Sequence, residues 1–164
     1  MRVGGRLSNI GIINSYIQGD DNVGAIAGYC VSTIENCYNT SDVSGSGATG
    51  GIVGDGNSII SCSNTGTIVG GNSTGGIAGV ASSIRKCYNL GSITGDYDVG
   101  GLVGLCNNNI RESYNEGAVV GFYRVGGIDG GGSWSGNPII RDCYNIGNIT
   151  STYKAAGGIM GGGV

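Results

Sequence analysis

A five-residue unit, Gly-Gly-Ile/Leu-x-Gly, recurs along this chain at an almost fixed interval. It starts at Gly50, Gly75, Gly100, Gly126 and Gly157, with a near copy at Gly24. Successive starts lie 26, 25, 25, 26 and 31 residues apart. Between them sits a second unit, most often Ile-x-x-Cys-Tyr-Asn-x-Gly. A unit of about 25 residues is too small to enclose a core alone. Repeats of this size bury their apolar side chains by stacking on one another. The period therefore predicts one repeat domain over residues 1–164, with repeats beginning near 24, 50, 75, 100, 126 and 157.

Aligning the repeats gives three apolar columns. The first is Ile26, Ile52, Ile77, Leu102, Ile128 and Ile159. The second is Ile34, Ile59, Ile84, Ile110 and Ile140. The third is Ile17, Val43, Ile68, Ile93, Val119 and Ile149. Ile and Val pack well on a pleated surface, and each column is flanked by Gly, Asn or Ser, the residues that end strands. No spacing of 3.6 persists over a helix length. Three short strands per coil of about 25 residues, in about six coils, predict an all-β parallel β-helix. A β-sandwich of hairpins is the runner-up, but identical columns in phase are harder to produce there. Asn39, Asn64, Asn89, Asn115 and Asn145 share one phase, as stacked amides that bond from coil to coil would.

Glycine makes up 37 of the 164 residues. Its fixed phase, interleaved with Ile and Val, marks ordered turns and close backbone contacts rather than a disordered linker. Only 12% of residues are charged, and the formal net charge is −3. A nucleic-acid-binding domain shows a basic stripe, so nucleic acid is not an expected partner. No apolar run is long enough for a transmembrane helix. Both ends cut through repeat-like sequence, which suggests a segment excised from a longer protein with flanking domains. Open strands at the ends of a solenoid are an association hazard, so end-to-end pairing is a further expectation.

Four cysteines, Cys37, Cys62, Cys87 and Cys143, share a column in which Ser113 fills the gap. Cys30 and Cys106 share another with Gly56 and Ala81. These exchanges describe sites that want a small residue, which favours free core thiols. Coil-to-coil disulfides remain the alternative, because stacked Cα atoms are close enough. The residue after each cysteine is Tyr38, Ser63, Tyr88, Tyr114 or Tyr144, and it should face outward if the cysteine faces in. Such a ladder either covers the sheet or meets a partner, so Tyr88, Tyr114 and Tyr144 are candidate contact residues. Trp134 is the other candidate: it lies in the extra length of the fifth full repeat, and solenoid insertions fall in surface loops. Arg85, Arg111 and Arg141 share a phase beside Lys86, Glu112 and Asp142, and read as a solvated face of mixed charge.

Histidine is absent. That excludes His-based acid–base catalysis, Ser-His-Asp triads and His-containing metal sites. The glycine stretches lack the Gly-Lys-Ser/Thr of a phosphate loop. Carboxylate pairs such as Asp20 with Asp21, or Asp96 with Asp98, could in principle cleave glycosides. They lie in turns, where aspartate usually serves local hydrogen bonds. No catalytic residue, cofactor or metal is expected.

Gly-Gly-Leu-Val-Gly at 100–104, Gly-Gly-Ile-Val-Gly at 50–54 and Cys-Tyr-Asn-Leu-Gly-Ser-Ile-Thr-Gly at 87–95 resemble the GLUG motif. The resemblance covers about residues 23–161. GLUG repeats occur in large bacterial surface and secreted proteins, among them adhesin-like proteins and the non-catalytic part of some immunoglobulin A peptidases. The resemblance implies a non-catalytic structural or interaction module, outside the cell or on its surface, that meets a host or cell-surface glycan or protein. A carbohydrate-binding or carbohydrate-processing β-helix and an accessory segment of a secreted peptidase are the alternatives. The zinc-peptidase motif needs histidine, so peptidase activity is not implied here. Residues 4–22 fit the repeat poorly.

Overall fold

The computed structural model describes residues 5–131 and 138–163. It is a right-through stack of parallel strands with no helix among the described residues: a parallel β-helix of three walls. The first wall stacks Arg6–Ser8, Ala27–Glu35, Val53–Ile60, Ala78–Arg85, Val103–Arg111 and Ile139–Arg141. The second stacks six strands of two residues, from Gly11–Ile12 to Tyr144–Asn145. The third has nine strands, because some coils cross it in two pieces, Asp42–Ser44 and Ala48–Gly50, and others in one, Ile93–Gly100. Six stacked strands make five coil-to-coil steps, roughly 24 Å at the usual strand spacing.

The register follows the repeat. Gly24, Gly50, Gly75, Gly100, Gly126 and Gly157 pair in sequence, each directly above the last. So do Ile34, Ile59, Ile84, Ile110 and Ile140, and so do Val43, Ile68, Ile93, Val119 and Ile149. The first column is tied by backbone bonds: Ile52 N–H donates to Ile77 O at 2.9 Å, and Ile77 N–H to Leu102 O at 2.8 Å. In the middle coils all three columns are fully buried. Each such Ile is worth about 1.5–3 kcal/mol in apolar burial. The core has two parts. One lies between the first two walls, and the other lies within the third wall, around Val43, Ile68, Ile93 and Val99.

The poorly matching first stretch is nevertheless a coil. Leu7 pairs with Ile34, Gly11 with Tyr38, Ile12 with Asn39 and Ile17 with Val43. Apolar residues hold the inward positions there, while the Cys, Tyr and Asn signatures are missing. That is why the motif fades and the fold does not.

Glycine and left-handed backbone divide the work in an unexpected way. Among described glycines only Gly131 has positive φ, whereas eleven other residues do. The glycines are there for space. A Cβ on Gly51 would collide with the Gly76 carbonyl oxygen and the Asn64 side chain of the next coil. One on Gly54 would strike the backbone at Asn22 and Val23, where the third wall crosses the first. Six of those eleven form a column at the corner before the second wall: Asn9, Asn36, Ser61, Lys86, Glu112 and Asp142, all with φ of 50–59°. Asn tolerates that region; Lys and Glu have no local compensation for it.

Just past this corner stands the asparagine ladder. Nδ2 of Asn39, Asn64, Asn89 and Asn115 donates to Oδ1 of the next asparagine at 2.9, 2.8, 2.7 and 2.8 Å. Each amide also closes its own turn. Asn89 Nδ2 donates to Gly91 O at 2.8 Å, and its Oδ1 accepts from Gly91 N–H at 3.2 Å. A buried amide in mid-stack thus has two donated and two accepted bonds, its full complement.

Candidate functional site

The cysteine column points inward, and all six thiols are free. Cys37, Cys62 and Cys87 each donate S–H to the carbonyl two residues back at 3.3 Å. Ser113 does the same with its hydroxyl at 2.6 Å, which explains why serine substitutes there. Burial pushes the Cys87 thiol well up, and pushes Cys106 up to about 12. Such thiols are poor nucleophiles.

The neighbouring tyrosines face out. Tyr88 and Tyr114 stack at 5.2 Å and 6°, and Tyr114 and Tyr144 at 4.8 Å and 2°. Stacked rings cover one another's faces, so the ladder offers mostly edges and hydroxyls to a partner. Trp134 lies outside the described residues. Arg85, Arg111 and Arg141 are in register on the first wall, as their phase requires.

A second aromatic group was not visible as a column. Tyr97, Phe122, Tyr123 and Tyr153 gather on the third wall, with Phe122 and Tyr153 stacked at 4.8 Å. Arg124 and Lys154 lie 5.1 and 5.7 Å from the Tyr123 ring centre. The register shifts between Gly121 and Tyr123, which puts Lys154 opposite Tyr123 and Tyr153 out of phase.

The aspartates of the sequence pairs do not form a catalytic pair. Asp20 and Asp21 are exposed, and the Asp20 carbonyl accepts from Ser46 and Gly47 to fix a turn. Asp98 is bound to Arg124, whose Nη2 donates to Oδ2 at 2.8 Å. Asp129 is the anomaly. It bridges Val103 and Met160 in an inward column, fully buried, and its Oδ2 has no partner. Burial pushes its carboxyl up to about 7; Gly131 N–H, donating to Oδ1 at 3.2 Å, offsets this only in part. Among the described residues no three His, Cys, Asp or Glu side chains gather as a metal site.

One concave feature is built into the first wall. The coil of Ala27–Glu35 carries an extra residue between Cys30 and Thr33, and the coil of Val103–Arg111 carries one opposite Ala81–Ser83. The two coils between them are flush. Bulges of this kind kink a strand and re-aim its side chains. The result is an open notch of about 330 Å³ in which Tyr29, Val31, Asp55, Asn57 and Ser82 converge over Gly56. Tyr29 stands directly across from Asp55. The period registers it only as length: the repeats from Gly24 and from Gly100, which carry the extra residue, span 26 residues, and the two between them span 25, while the columns stay in phase.

Comparison with family models, with curated proteins and with solved structures finds no match for this chain.

Proposed function

We propose that this chain is a non-catalytic structural and interaction module of a bacterial surface or secreted protein. The observation that carries this reading is the column of repeat glycines that pairs coil after coil. From Gly24 to Gly157 it stays in register despite three single-residue bulges among the described residues, and the asparagine amides are bonded coil to coil. A solenoid of this kind works as a spacer with a regular flank, suited to presenting neighbouring domains or meeting a surface. The GLUG-like glycine units supply the cellular setting. Their glycines match the places where coil touches coil, so the motif and the fold have one physical basis.

The reading is tested with antibody raised against the 164-residue chain, applied to intact cells that produce the natural protein. Labelling of intact cells, removed by brief external protease treatment, is expected. Labelling that needs permeabilised cells, with none in the medium, overturns it.

A further inference from the structure

The notch between the two bulged coils gathers polar groups that the ladders do not use. In the ladders the asparagines bond one another, Ser113 and Cys87 bond carbonyls, and Asp98 bonds Arg124. In the notch, no group of the described residues bonds the Asp55 carboxylate, the Asn57 amide or the Ser82 hydroxyl, and an exposed tyrosine stands beside them. Asn57 and Ser82 occupy facing positions on adjacent coils, because Gly56 pairs with Ala81 and Ser58 with Ser83. Tyr29 and Asp55 are likewise facing neighbours one coil away. Two stacked pairs thus line one depression.

We propose that this notch binds a neutral hexose unit of a polysaccharide. The argument is chemical. A pyranose has an apolar C–H face and a rim of hydroxyls. The Tyr29 ring, 64% of the residue being exposed, offers a flat apolar face with a polar tip. A carboxylate accepts from two adjacent hydroxyls at once, and the amide and the serine hydroxyl can each donate and accept. Small-molecule sites combine this kind of apolar wall with a few convergent polar groups, and the notch volume is at the lower end of their range. No cation lines it, so an acidic sugar would bring a second negative charge against Asp55. Burial, which holds the Asp55 carboxyl above its usual range, makes that encounter less favourable still. This assignment rests on the interaction-module reading and names a ligand for it.

The test is saturation-transfer NMR on the 164-residue chain with methyl glucoside, galactoside and mannoside at about 20 mM, and methyl glucuronide as the charged comparison. At least one neutral glycoside is expected to bind with Kd near the millimolar range, about −4 kcal/mol, and the glucuronide more weakly. Tyr29→Ala and Asp55→Asn should each weaken binding roughly tenfold, Ser82→Ala less, and Tyr144→Ala not at all. These side chains are at the surface, and unchanged circular dichroism would show that the variants are folded. Absence of transfer from all three neutral glycosides overturns the site and leaves the module reading intact. Binding that survives both Tyr29→Ala and Asp55→Asn, or that favours the glucuronide, also overturns the site, while supporting a module that binds sugar elsewhere.

Discussion

Asp129 makes the stack sensitive to pH, and the size of the effect can be worked from its surroundings. Its carboxyl replaces the Val of the preceding coil, is fully buried, and titrates at about 7 against an ordinary value of 3.8. The interior accepts the neutral acid and resists the anion. The native state therefore holds its proton longer than the unfolded chain. Stability from this group is intact below pH 3.8, falls as pH rises from 3.8 to 7, and is flat above. A difference of about 3 units at 1.36 kcal/mol each gives a loss of about 4 kcal/mol across that window. The groups facing it do not cancel this. Asp98 adds a like charge nearby, Cys106 stays protonated, and Arg124 is committed to Asp98. The assay is urea unfolding followed by circular dichroism at half-unit steps from pH 4 to 8. Asp129→Val, which restores the residue of the coil below, and Asp129→Asn, which keeps the acceptor for Gly131, should both flatten the pH slope relative to the parent chain. Asp55 and Asp98 are also raised by burial and titrate in the same direction, so the informative quantity is the difference between variant and parent. A parent chain whose pH profile runs parallel to that of both variants would refute a buried, ionising Asp129.

Four further outcomes follow from the stack. Asn89→Ala removes four ladder and turn bonds and should cost about 2–4 kcal/mol in urea unfolding; Asn145→Ala, at the ladder end with a bond fewer, should cost less. Gly51→Ala, pressed against Gly76 O and Asn64, should lose the fold or most of its thermal stability, whereas Gly158→Ala, with open space around it, should be close to neutral in the same melt. Lys86→Gly relieves a left-handed backbone, with φ of 55°, and gives up only a 3.7 Å surface pair with Glu112; it should raise the unfolding free energy by up to about 1 kcal/mol, and a drop would count against corner strain. Under native conditions a thiol reagent should reach the partly exposed Cys30 and Cys143 first, and Cys62, Cys87 and Cys106 only on unfolding.

The period made the columns legible because Ile52, Ile77 and Leu102 must repeat if each is to cover the next. The asparagine ladder was legible for the same reason. What the period hid falls into three kinds. The left-handed corner is a constraint on backbone, and Asn, Ser, Lys, Glu and Asp all occupy it, so no residue type recurs there. The aromatic group around Tyr123 and the notch around Asp55 both involve single extra residues; a repeat of 26 rather than 25 residues shows that a residue was added at the notch, but not where in the coil it bulges. Asp129 stood in plain view within a Gly-Gly-Ile-x-Gly unit, at a position that the alignment left variable; only the burial of Val53, Ala78 and Val103 at that site shows what a carboxyl there must cost. The role of glycine was half readable. Its recurrence signalled close contact, but only the coordinates separate a need for room from a need for positive φ.

The bonds that join one coil to the next, including the amide row, run along the axis of the stack. Tension applied to the two ends therefore loads them one layer at a time, like a zipper, rather than in parallel as across a sheared sheet. Each layer that peels away would release about 25 residues, roughly 85 Å of extended chain, in place of a single 4.8 Å step. A tether built this way would lengthen in equal increments under load, absorbing work while its remaining layers stay folded.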